Sequence, residues 1–129
     1  NVFRGGALVQ DIPSIIGSAV VHDRTDPPAS HAVAIEPGSM LAALAGGGEA
    51  TVNSYHHQSI DQPGKNLRIT ARSLDGVVEA VEDPSRDFFA GVQWHPEKDW
   101  QGNALSQSLF RRFIDAARSS RARARSGRD

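Results

Sequence analysis

One stretch of this 129-residue chain has the residue types and spacing for proton-transfer chemistry: Gly91-Val92-Gln93-Trp94-His95-Pro96-Glu97. An imidazole and a carboxylate two residues apart can act as a base and the acid that orients it. The carboxylate holds one tautomer and stabilises the charged ring. That is the base-and-orienter half of a nucleophilic triad. The preceding run, Phe88 to Trp94, reads as a buried strand. A strand end is a rigid platform from which a turn stiffened by Pro96 can present His95 to a cleft. Two blander readings compete with this one. The pair could be a solvated surface turn. It could also be two metal ligands, but these need a third, and only His56 or His57 is at hand. The acid/base reading is the stronger, and no metal is assigned.

A second dense cluster is Asn53-Ser54-Tyr55-His56-His57-Gln58. Adjacent histidines at a strand end point to opposite faces, so His56 and His57 should do different jobs. Local hydrogen bonding at a strand end explains each residue singly about as well as ligand binding does. His31 opens a predicted strand and reads as structural. His22 precedes a Pro-rich loop and reads as solvated. Trp100 has two readings, a lid over the cleft or a cap on the last helix.

The elements that must position these residues follow from the rest of the chain. Gly5-Gly6 ends whatever precedes it, since Gly is the usual residue just past a helix. Ala7 to Ile12 is a strand or a helical turn. The charges and Pro27-Pro28 mark an exposed loop. His31 to Glu36 alternates as a strand. Ser39 should cap a short helix over Met40 to Ala45, stopped by Gly46-Gly47-Gly48. Ala50 to Ser54 is a strand. Leu67 to Ala71 and Val77 to Glu82 form a hairpin around Asp75-Gly76, with Arg68 or Arg72 able to pair with a glutamate across it. Asn103 should cap a closing helix whose stripe is Leu105, Leu109, Phe113 and Ala117, flanked by Phe110 and Ile114. From Arg118 the apolar stripe stops. Arginines at 118, 121, 123, 125 and 128 read as a solvated, disordered tail over 118–129.

Composition bounds the classes. Net charge is −1 and 39% of residues are hydrophobic, which suits a soluble globular domain with no pull toward nucleic acid or membrane. No apolar run is long enough to span a bilayer and no signal peptide is visible, so a cytoplasmic location is expected. The chain has no cysteine, which excludes disulfides, zinc-thiolate sites and a cysteine nucleophile within it. Many strands with one strong helix leave a sheet face uncovered, and the chain begins with Asn1. The expectation is therefore a C-terminal portion of a larger domain, with self-association through the exposed face.

VNSYHHQSI, LRITARSLDGVVEAVEDP and GVQWHPE together closely resemble the gamma-glutamyl-gamma-aminobutyrate hydrolase family, peptidase family C26, of the class I glutamine amidotransferase-like superfamily. NVFRGGALVQDIP is similar to the family's segment just after its nucleophile. The resemblance covers residues up to the last helix, about 1–117. It implies an α/β, flavodoxin-like, three-layer fold with a mostly parallel sheet, a β-hairpin and a closing C-terminal helix. It implies hydrolysis of a gamma-glutamyl amide, as in polyamine catabolism, through a cysteine thioester. No cofactor is implied. By resemblance, His95 is the catalytic histidine and Glu97 its acid, while Ser54, Tyr55, His56, His57 and Gln58 wall the substrate pocket. The departure is the absent cysteine, which leaves this chain two members of a Cys-His-Glu triad and no turnover of its own. Two alternatives are a glutaminase subunit that passes ammonia to a partner and a non-catalytic binding module.

Overall fold

A computed structural model describes residues 1–23 and 28–126. Most of the exposed loop expected around Pro27-Pro28 lies outside the described residues. The chain opens with a 3₁₀ turn, Val2–Arg4, closed by Gly5 at φ 81°, a left-handed conformation that glycine adopts without cost. The elements that follow are β1 (Leu8–Val9), α1 (Ile12–Ile15), β2 (Ala29–Ile35), α2 (Met40–Ala45) and β3 (Glu49–Ser54). Then come β4 (Ser59–Ile60), β5 (Arg68–Ser73), β6 (Val78–Glu82), β7 (Ala90–Val92), α3 (Pro96–Asp99) and α4 (Ala104–Ser126).

The strands form one sheet in the order β1-β4-β6-β5-β2-β3, with β7 also on β6. All the described pairings are antiparallel, which corrects the expectation of a mostly parallel sheet. The reason lies in the connections. A parallel pair needs a crossover of a dozen or more residues, usually a helix packed on the sheet. Here β2 returns to β3 through the six-residue α2, and β5 turns directly into β6.

The short helix is built as its caps dictate. The Ser39 side chain accepts from Ala42 N, and Gly46 ends the helix at φ 72°. Glu82 of β6 adds a carboxylate at the same end, accepting from Met40 N at 3.1 Å and Leu41 N at 3.2 Å. Negative charge at a helix N-terminus is favourable. Glu82 is therefore not held by an arginine across the hairpin. Arg68 stands opposite it in register but donates to Pro37 O, and Arg72 donates to Gly76 O. The hairpin itself forms as its turn residues predict, with Gly76 at φ 87°. One irregularity was not legible. A bulge between Ile69 and Arg72 places Thr70 and Ala71 both inside, breaking the in-and-out alternation of a regular strand.

Helices α2 and α4 cover the sheet through Leu41, Leu105 and Leu109, which pack with Val33, Ile35, Val52, Ala71, Ala80 and Trp94. Asn103 caps α4, its Oδ1 accepting from Ser106 N at 3.1 Å. The helix does not stop at Ala117. It continues through the arginine-rich stretch to Ser126, with residues 118–126 exposed, which corrects the expected disorder there. Alternating Ala and Arg are strong helix formers, and an established helix propagates through them more readily than it starts. No described helix is long and apolar enough to cross a membrane.

The first turn is tied to the end of β6. Arg4 pairs with Asp83 at 2.7 Å, and Ser85 donates to the same carboxylate from Oγ at 2.6 Å and from N at 3.0 Å. The Ser85 hydroxyl, then the Arg4 guanidinium, hold the Asp83 carboxyl at about 2. A carboxyl depressed in the folded state stabilises it above the unfolded pKa, and that stability fades as pH falls through the folded value. Between pH about 4 and about 2, the thermal midpoint should therefore fall. Asp83→Asn should flatten this part of the acid limb; an unchanged slope would remove Asp83 from the account.

Candidate active site

β7 is shorter than the Phe88–Trp94 strand expected from sequence, because the chain bends after Val92. Trp94 then drops into the core at 3% exposure, which leaves His95 at the surface as the residue that immediately precedes α3. Pro96 occupies the first helical position, where its missing N–H has no intrahelical role and its fixed φ suits the helix. Within this turn His95 Nδ1 meets Glu97 Oε1 at 2.7 Å. Both side chains are open to solvent, 42% and 57% exposed. The hydrogen bond from His95 holds the Glu97 carboxyl below its ordinary value, so Glu97 is a carboxylate at neutral pH. A carboxylate only accepts, so the neutral imidazole carries its proton on Nδ1 and presents Nε2 as the basic nitrogen.

Asn53, part of the second cluster but given no role from sequence, fixes the backbone here. Asn53 of β3 donates from Nδ2 to His95 O at 2.8 Å, and its Oδ1 accepts from His95 N at 2.9 Å. This two-point clamp joins β3 to the turn that precedes α3. The only sequence signal for it is an amide residue ending a strand beside the Tyr55-His56-His57 cluster. Asn53→Ala should cost about 1–3 kcal/mol, because it strands a partly buried N–H and C=O. Chemical denaturation checks this; a loss under about 0.5 kcal/mol would mean that water replaces the clamp.

The Ser54-to-Gln58 cluster divides. The Tyr55 ring meets His95 edge-on, centroids 5.5 Å apart, and Lys98 Nζ sits 3.9 Å from the Tyr55 centroid. His57 is exposed. Gln58 donates from its side chain to Gln10 Oε1, and its carbonyl accepts from Gln93. Ser54 is fully buried and donates to His22 O at 2.8 Å. His56 turns inward toward the buried Glu79. The Ser54 and His56 side chains thus both lie in the interior. His22, expected in solvent, is 4% exposed and also faces Glu79. Trp100 is half exposed and borders an apolar surface groove with Phe110 and Ile114 of α4, on the helix side and not over His95.

Residues 1–97 match the sequence model of the peptidase C26 family. The chain belongs to the peptidase C26 family. The match ends at Glu97, so it contains the His95–Glu97 pair. Over 88 residues the chain is 46% identical to the gamma-glutamyl-gamma-aminobutyrate hydrolase PuuD of Escherichia coli, covering 67% of this chain and 35% of that protein. Over 118 residues it is 40% identical to protein NtpR of Enterococcus hirae, covering 88% of this chain and 49% of that one. It thus spans between about a third and a half of these relatives' lengths. Among solved structures, a glutamine amidotransferase from Methylobacillus flagellatus superposes with a TM-score of 0.61 at 12% identity, over 88% of this chain and 57% of that one. At that identity the likeness shows the fold alone, and the fold is the glutamine amidotransferase-like α/β fold implied by the resemblance.

Proposed function

We propose that this C26 chain carries the histidine and the acid of a gamma-glutamyl amide hydrolase with a Cys-His-Glu triad, whose cysteine lies outside these 129 residues. The observation that carries the reading is the 2.7 Å contact between His95 Nδ1 and Glu97 Oε1, which leaves Nε2 as the base. The likeness to PuuD, named a gamma-glutamyl-gamma-aminobutyrate hydrolase, supports the substrate class.

In this reading, His95 Nε2 takes the thiol proton as sulfur attacks the gamma-carbonyl. The same nitrogen returns that proton to the departing amine. Water then attacks the thioester with His95 again as base, releasing the gamma-carboxylate and restoring the thiol. Glu97 keeps the ring in the Nδ1–H tautomer and stabilises its charged form. Tyr55 walls one side of the imidazole.

The 129-residue chain has no cysteine and is expected not to turn over gamma-glutamyl-gamma-aminobutyrate. A folded protein that joins it to the family's cysteine-bearing segment is expected to do so. Turnover by the chain alone, or none by the folded joined protein, would contradict the reading. Ammonia release from glutamine only in the presence of a synthetase partner would instead favour a glutaminase subunit.

A further inference from the structure

A second constellation lies apart from His95 and Glu97. Four side chains from four separate segments converge on one point: His22 from the loop after α1, His31 in β2, His56 just after β3, and Glu79 in β6. The Glu79 side chain is fully buried, and those of His22, His31 and His56 are 2%, 8% and 10% exposed. Glu79 Oε1 lies 3.3 Å from His22 Nδ1, 3.4 Å from His31 Nε2 and 3.6 Å from His56 Nε2. None of these atoms, nor Glu79 Oε2, has a hydrogen-bond partner among the described residues.

The outer side of each ring shows what the inner side can offer. His22 Nε2 faces the Asp75 carboxylate at 3.0 Å, His31 Nδ1 faces Ala32 O at 3.3 Å, and His56 Nδ1 faces Gln58 O at 3.0 Å. Each of these partners only accepts, so each neutral ring carries its proton on the outer nitrogen. The three inner nitrogens are then lone pairs, and the carboxylate oxygens of Glu79 are lone pairs as well. Buried acceptors facing one another without a donor are unfavourable. A proton between two of them satisfies one pair. A divalent cation at the centre satisfies all four residues.

We propose that His22 Nδ1, His31 Nε2, His56 Nε2 and the Glu79 carboxylate form a binding site for a divalent first-row transition metal, with Zn²⁺ as the best-suited ion. Imidazole with one carboxylate is a donor set such ions favour. In a tetrahedral site with bonds of about 2.0–2.1 Å, ligand atoms stand roughly 3.3–3.4 Å apart. The three distances from Glu79 Oε1 are close to that spacing, and the four ligand atoms, which lie within 4.8 Å of one another, need the imidazole rings to draw closer together around the ion. The outer hydrogen bonds are those that orient metal-bound histidines, and Asp75 is itself held by Ser73 Oγ at 2.5 Å. Asp75 also keeps the His22 ring turned so that Nδ1 points inward.

Four protein ligands in a buried setting make a closed, structural site. Its ion would fasten the segment between α1 and β2 to β3 and β6. It would also brace the residue beside Tyr55, whose ring packs on His95. A cavity of about 100 Å³ bordered by Ile12, Val21, His22 and His56 reaches two of the ligands and offers an ion a way in. This site does not depend on the hydrolase reading, since none of its ligands takes part in the proposed proton transfers.

The test uses the full chain, stripped by a chelator and titrated with Zn²⁺ alone by calorimetry. A parallel Co²⁺ titration is followed by visible absorption. One equivalent should bind, the Co²⁺ bands should be the intense ones of a four-coordinate ion, and the thermal midpoint should rise with Zn²⁺ concentration. Glu79→Gln and His31→Gln should each weaken binding by more than about 100-fold, and Asp75→Asn by about 10–100-fold. His57→Ala, outside the cluster, should bind as the unmodified chain does. No binding by the folded chain, or binding that Glu79→Gln leaves intact, would overturn the proposal in favour of a shared proton. If neither glutamine variant folds, the Co²⁺ spectrum of the unmodified chain decides: weak six-coordinate bands or no bands reject the site.

Discussion

In a cysteine-bearing form of this C26 protein, His95→Ala is expected to lower kcat on gamma-glutamyl amides by about 10²–10⁴-fold, with KM little changed. The effect should fall on kcat because, in the proposed mechanism, His95 acts on the nucleophile and the leaving group rather than gripping the ground-state substrate. Its Nδ1 is already engaged by Glu97, so Nε2 is the nitrogen left to move protons in that mechanism. Truncation removes that nitrogen and leaves the thiol without a base. Glu97→Gln should cost less, because an amide oxygen still accepts from Nδ1–H while the stabilising charge is gone. A kcat for His95→Ala within about tenfold of the unmodified protein would take His95 out of the mechanism.

Trp94→Ala is expected to destabilise the fold by about 3–5 kcal/mol, the usual cost of emptying a core aromatic site. Trp94 is 3% exposed and packs with Val33, Ile35, Leu41, Val52, Leu105 and Leu109 between the sheet and the helices α2 and α4. It also immediately precedes His95, so its loss should loosen the turn that presents the imidazole. Denaturant midpoints followed by far-UV circular dichroism measure the effect. Trp100, half exposed, remains as a fluorescence reporter in the variant. A loss below about 1 kcal/mol would mean that α4 does not depend on this contact.

Much of this was legible in the residues, and where legibility ended has physical causes. The α2 helix was readable because Ser39 and Gly46 are local signals that act within one turn. The Asp75-Gly76 hairpin and the Asn103 cap are local in the same way. The contact between His95 and Glu97 was readable because two residues in one turn need no tertiary information. Strand direction was not, since it depends on connections and pairing partners, and here every described pair is antiparallel. The arginine-rich end of α4 is not legible, because an absent apolar stripe says little about a helix already propagating. His22, His31, His56 and Glu79 could not be joined from sequence, because four segments bring them together only in the folded sheet. A glutamate in a hairpin strand is ordinarily a surface charge, whereas every residue of β6, Glu79 included, is buried.

The tautomer of His95 is the most direct measure of the central claim, and it can be read in this chain without any nucleophile. Ring-nitrogen NMR at a pH where the imidazole is neutral should show the proton on Nδ1 and a lone pair on Nε2. Glu97→Ala should return the ring toward the Nε2–H form that free imidazole side chains prefer. An Nε2–H ring in the unmodified chain, or a tautomer that Glu97→Ala leaves unchanged, would contradict the account of His95 as a base oriented by Glu97.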